Sequence, residues 1–210
     1  MAPKVERSLG ISAGFTLLEL LLVLSVIGIL SSIAVWGGQK AKHGWRLKRA
    51  GHQLFEDLKA IQSDAEMSGS LTINNGRLNT QRRFMVFDLD TNSYEAYRWR
   101  DDNGNGVVED EETAMQWRHL LPSKIAFAWS SGVDRRACSN VNNPPGTAVS
   151  FSSPDYPPCN DQPCIKFDHN GFSVMGPGAI YLSDERHSLA ITATRTGHFT
   201  MCEWTGEKWK

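Results

Sequence analysis

The chain has 210 residues, room for one globular domain and an anchoring element, and its 22 basic and 23 acidic residues leave a formal net charge of −1. That balance excludes an overall field able to gather nucleic acid or an anionic surface, so either partner would need a local patch. The mean hydropathy is mildly negative although the N-terminal segment is strongly apolar, so the remainder is distinctly polar and the chain is not a polytopic membrane protein.

Residues Phe15 to Trp36 are apolar or small apart from Thr16, Glu19 and three serines. As a helix this run spans about 33 Å, enough for a hydrocarbon core of about 30 Å. A cleaved secretory signal is disfavoured, because its apolar core covers about 7–15 residues and ends at a small-x-small site. No such site follows Val35 and Trp36. Glu19 is the anomaly. A carboxylate inside an apolar run must reach the headgroups, take up a proton or meet a positive group. A cut just before Phe15 would create such a group, the α-amine of a neighbouring chain in an assembly.

Ala13-Gly14, then Phe15-Thr16-Leu17-Leu18-Glu19, then the run through Leu30, resembles the class III signal of type IV prepilins and pseudopilins. The resemblance implies that a prepilin peptidase removes residues 1–14 by cutting between Gly14 and Phe15 and methylates the Phe15 amine. Glu19 would then neutralise the Phe15 amine of a neighbouring subunit during filament assembly. Lys4 and Arg7 in the leader suit a segment retained in the cytoplasm. A positive-inside count alone points the other way, since Lys40, Lys42, Arg46, Lys48 and Arg49 follow the run. The signal and the cysteines outweigh that count. The expected topology is a single pass through a bacterial inner membrane, with the C-terminal part in the periplasm.

Leu47, Gly51, Leu54, Leu58, Ile61 and Ala65 continue a helical period, with Lys42, Arg46 and Arg49 on the opposite face. A helix from about Phe15 to Glu66 would be about 78 Å long. Gly37, Gly38 and Gly44 mark an expected bend, and Ser68-Gly69-Ser70 an end. The expected division is leader 1–14, transmembrane helix 15–36, helical continuation 37–66 and a β-rich head 67–210. A polar link precedes the first strands.

Phe84–Phe87 and Tyr94–Trp99 flank Asp90-Thr91-Asn92-Ser93 and read as a hairpin. Met115–Leu121 and Ile125–Trp129 are further candidates, then a Cys-, Pro- and Asn-rich loop from Ser130 to Pro163 with a short strand at Ala148–Phe151. Cys164–Phe167, Gly171–Val174, Ala179–Leu182, Leu189–Thr194 and Phe199–Trp204 complete the series. The fold class is α+β, one long N-terminal helix packed on an antiparallel head. Phe167-Asp168-His169-Asn170-Gly171, Ile180-Tyr181-Leu182 and Ala190-Ile191-Thr192 with Thr196-Gly197 resemble the terminal strands of the GspH/FimT family of minor pseudopilins.

That resemblance implies a non-catalytic minor pilin or pseudopilin serving type II secretion or type IV pilus biogenesis. Its partners would be other pilin subunits, the prepilin peptidase and the inner membrane. Some relatives of this kind bind DNA in natural transformation through a basic tail. Here Thr196-Gly197-His198-Phe199 has only Arg195 beside it, so nucleic acid is not an expected partner. A DNA-binding minor pilin of natural transformation is the first alternative and an exported, membrane-anchored enzyme the second, although no Ser/His/Asp or His/Glu spacing organises His119, His169, His187 and His198.

Asp101 to Glu112 fits the calcium-loop formula D-x-[DN]-x-[DN]-G-x5-E. Asp101, Asn103 and Asn105 would offer side-chain oxygens, Val107 its carbonyl and Glu112 a bidentate carboxylate, with Gly106 at the sharp turn. The flanks are strand-like, so the loop would stand without the helices of an EF-hand, and a solvated polar turn is the competing reading. No cofactor is required; calcium is the candidate ion. Cys138, Cys159, Cys164 and Cys202 carry no CxxC pair, and an even number in an exported chain favours two disulfides over zinc, with three pairings open. Trp36 and Trp45 fall where an interfacial anchor would lie.

Overall fold

The computed structural model describes residues 17–68, 72–74, 77–79 and 81–210, with side chains except at 33–43, 72–74 and 77–79. The chain divides into two compact units, Met1–Lys42 and His43–Lys210. The helix α1, Leu17–Ser68, is continuous through Gly37, Gly38 and Gly44. Each glycine costs only about 1 kcal/mol of helix propensity, which a helix of this length tolerates.

Within the second unit, Leu47, Leu54, Leu58, Ile61 and Ala65 are all buried, as the helical period requires, while Arg46 and Arg49 are exposed. Their stripe packs on strands that follow in chain order. β1 (Thr72–Asn74) and β2 (Arg77–Asn79) form a small antiparallel pair. β3 (Gln81–Asp88), β4 (Ser93–Arg100) and β5 (Thr113–Leu120) are long, and β6 (Ala126–Phe127) is short. β7 (Cys164–Phe167), β8 (Gly178–Ser183), β9 (Ser188–Ala193) and β10 (Phe199–Glu203) complete the head. They form two four-stranded sheets, ordered β5-β4-β3-β7 and β10-β9-β8-β6, and every pairing is antiparallel. The α+β class and the helix-on-sheet arrangement expected from sequence are therefore present.

Both sheets share a core with the helix stripe on one side and carry a smaller core on the other. Met85 and Phe87 join the core under α1, whereas Phe84 and Val86, one residue out of step, pack on the far side with Trp99, Cys159 and Cys164. That is why Phe84-Met85-Val86-Phe87 is apolar without alternation: a period of two fills two cores at once. On the second sheet Ile180 and Leu182 face the helix, while Tyr181, Ala190 and Cys202 pack outward against Val133, Ala137 and Trp209. Parts of the 130–163 segment cover these outer faces. Each face carries one disulfide, Cys159–Cys164 on the first sheet and Cys138–Cys202 on the second.

Three expectations need correction. The polar link includes the β1–β2 pair, and Asn75-Gly76 between the strands is the dipeptide that favours a two-residue hairpin. Gly171–Val174 contributes one bridge, Ser173 to Phe167, rather than a full strand: Gly171 has φ +73°, and Asp168 accepts the N–H groups of Asn170 and Phe172 at 2.9 and 3.0 Å. Ala148–Phe151 contributes one bridge, Val149 to Ile180, because the Ser150 side chain takes the Ala179 N–H at 2.8 Å.

Side chains lock the helix to the sheets. Gln62 donates to the carbonyls of Gly171 and Gly197 at 2.9 and 3.0 Å. Buried Arg83 on β3 pairs with Asp64 and bonds Ser68 in the last turn of α1. Gly51 is the point of closest approach: a Cβ there would lie 2.7 Å from Leu189 Cδ1, inside the packed core. Gly51→Leu is therefore expected to destabilise the head by about 1–3 kcal/mol despite its better helix propensity, read as a lower urea midpoint with an unchanged m-value.

Candidate functional site

The N-terminal helix has a surface suited to an apolar surrounding. From Leu17 to Leu30 every large apolar side chain is exposed, Leu17 at 79% and Ile29 at 61%. Apolar surface presented all round a helix belongs in lipid or against other helices rather than in water. Ser25 and Ser32 turn their hydroxyls back onto the carbonyls of Leu22 and Ile29, both at 2.7 Å, which satisfies the donor without a solvent partner. Glu19 lies in the first described turn of this helix. Gly14, Phe15 and the leader 1–14 lie outside the described residues, as do the side chains of 33–36. Among the described residues no helix is long and apolar enough to cross a membrane. Trp45 is exposed; the Trp36 side chain is outside the described set.

The acidic loop is the long connection of the β4–β5 hairpin. Cross-strand pairing of Trp99 with Thr113 closes its mouth, so the two ends of the loop lie side by side without flanking helices. Asp101 is 3% exposed, and its Oδ2 accepts the Gly106 N–H at 3.0 Å. Gly106 has φ +73°, a region where residues other than glycine are strained. Asn103 accepts the Asn105 N–H at 2.8 Å, and Asn105 accepts the Val107 N–H at 2.7 Å. Glu112 Oε1 accepts the N–H groups of Asp102 and Asn103, while its Oε2 accepts the Trp99 indole N–H at 3.1 Å. Glu109, absent from the sequence reading, holds both amides: Asn103 Nδ2 and Asn105 Nδ2 each donate to it at 2.9 Å. It stands at the ninth position of the loop formula, which the motif pattern leaves unspecified. The structure thus gathers Asp101, Asn103, Asn105 and Glu112 around one turn.

The histidines are dispersed. His119 pairs with Asp57 of α1 at 2.9 Å, and the same carboxylate accepts the Tyr94 hydroxyl at 2.7 Å. Burial, reinforced by Asp57, pushes the Tyr94 hydroxyl up, so it stays a donor and docks β4 on the helix. His187 sits 3.2 Å from Asp184 in the β8–β9 turn. Among the described residues no group of three or more His, Cys, Asp or Glu side chains is placed to hold a metal ion. A cleft between the 143–147 segment and β8–β10 is lined by Pro144, Pro145, Thr192, Thr194 and Arg136, with no carboxylate or histidine along it. It can receive a ligand but offers no acid–base pair. Arg195 is exposed in the β9–β10 turn, where its carbonyl accepts the Ser173 N–H at 2.9 Å.

Residues 11–35 match the family model described as the prokaryotic N-terminal methylation motif. Among solved structures the chain is similar to the minor pseudopilin EpsH from the type 2 secretion system of Vibrio cholerae. The two are 13% identical with a TM-score of 0.42, over 74% of this chain and 94% of that one. No curated protein matches the chain.

Proposed function

We propose, for a chain that carries the N-terminal methylation motif at residues 11–35, that it is a minor pilin or pseudopilin: a structural, non-catalytic subunit of a periplasmic filament serving type II secretion or type IV pilus biogenesis. The observation that carries the reading is the motif on a helix apolar all round. The 15–36 segment anchors the precursor in the inner membrane. Prepilin peptidase cuts between Gly14 and Phe15, and the freed helices then pack in a filament core. Glu19 meets the methylated Phe15 amine of its neighbour, which replaces the water that the carboxylate loses. Head surfaces supply the contacts with other subunits.

The mature N-terminus tests the processing step. Mass spectrometry is expected to find a chain that begins at N-methylated Phe15; an intact Met1, or a start beyond Trp36, overturns the reading. Glu19→Ala is expected to reduce incorporation into filaments by about tenfold or more, since an uncompensated amine in an apolar core costs several kcal/mol. The thermal midpoint of the head should not move. Incorporation equal to wild type would exclude the Glu19–Phe15 pairing.

A further inference from the structure

We infer that the Asp101–Glu112 loop is a calcium site that closes the β4–β5 hairpin. The buried Asp101 carboxylate carries the inference. Its Oδ2 is held by the Gly106 N–H, which turns the group into the loop, and its Oδ1 is buried with no hydrogen-bond partner. A carboxylate oxygen removed from water without a partner is costly, and the chemistry that relieves it is a cation at that oxygen. The loop formula supplies the further oxygens such a cation would take, from Asn103, Asn105, the Val107 carbonyl and Glu112. Asn103 and Asn105 direct their amide nitrogens to Glu109 and their carbonyl oxygens to backbone N–H groups on the loop's own side.

Two carboxylates with amide and carbonyl oxygens form a hard, flexible set that suits calcium, whereas zinc prefers nitrogen and sulfur. Magnesium demands closer octahedral geometry and retains its water. Glu112 now caps the N–H groups of Asp102 and Asn103 across the hairpin mouth, so its carboxylate needs only side-chain rotation to face the same centre. The β4–β5 pairing brings the first and twelfth positions together, the task that two helices perform in an EF-hand. The site is independent of the filament reading.

The test uses the full chain in detergent, stripped with EGTA and titrated with calcium chloride by calorimetry. Terbium chloride provides a second reading, because the Trp99 indole is bonded to Glu112 and can sensitise a bound lanthanide. One calcium per chain is expected, in the range of about 10⁻⁵–10⁻³ M, with terbium emission that calcium displaces. Asp101→Asn and Glu112→Gln should each weaken binding by about tenfold or more. Should Asp101→Asn lose its folded circular dichroism, Glu112→Gln and Asn105→Ala, at positions that are not buried, carry the comparison. Absence of sensitised emission and calcium heat in the wild type overturns the site. So does wild-type affinity in Glu112→Gln, or equal binding of magnesium.

Discussion

Replacing Cys138 and Cys202 together by alanine is expected to lower the stability of the head by about 4 kcal/mol. The Cys159→Ala/Cys164→Ala pair should cost about 2 kcal/mol. The difference follows from loop length, since the first bridge joins residues 64 apart and the second joins residues only 5 apart. A longer loop closed in the unfolded chain removes more conformational freedom, and that entropy is restored when the bridge is lost. Packing adds to the asymmetry. Cys202 belongs to the outer cluster that contains Tyr181, Ala190 and Trp209, and Cys138 brings its loop onto that face. Urea unfolding followed by tryptophan emission reads both variants, and Trp129, Trp204 and Trp209 sit beside the larger bridge. Equal losses from the two double variants would show that chain entropy does not govern these bridges.

Leu58→Ala is expected to cost about 3–5 kcal/mol. Leu58 is fully buried at 0% exposure, in the α1 stripe that shares one core with residues of both sheets. Truncation removes transfer energy and leaves a cavity that the close-packed surroundings only partly collapse to fill. Ser63→Ala, on the exposed side of the same helix, should stay within about 0.5 kcal/mol. Both measurements are made on the full chain in detergent, following the urea transition of the head. A loss below about 1 kcal/mol for Leu58→Ala would mean that the helix does not supply the core of the head.

The stripe from Leu47 to Ala65 was legible in the sequence because a helix on one core writes a period of 3.6, and every member is buried. The β3–β4 hairpin and strands β7 to β10 were legible for a similar reason, as apolar runs between turn residues. Two kinds of feature were not. The pairing of four cysteines depends on which loop covers which outer face, and that is fixed only when two sheets have formed. Gly171–Val174 has a strand's composition, yet the Asp168 carboxylate takes the Asn170 and Phe172 N–H groups and leaves a tight return with one bridge, Ser173 to Phe167. In the acidic loop the motif named most of the oxygens. It could not show that Asp101 would be buried, nor that Glu109 would hold both asparagine amides, because both depend on how the hairpin mouth closes.

The Cys138–Cys202 bridge also sets a mechanical limit. Tension along the chain can straighten residues before Cys138 and after Cys202, but the 64-residue interval between them, which contains β7, β8, β9 and most of β10, is shunted by a covalent bond. About 220 Å of contour length is withheld from extension, and the smaller Cys159–Cys164 ring lies wholly inside it. Under load the head would yield first at the strands outside that ring, β3 to β5, while most of the second sheet stays within a closed covalent circuit.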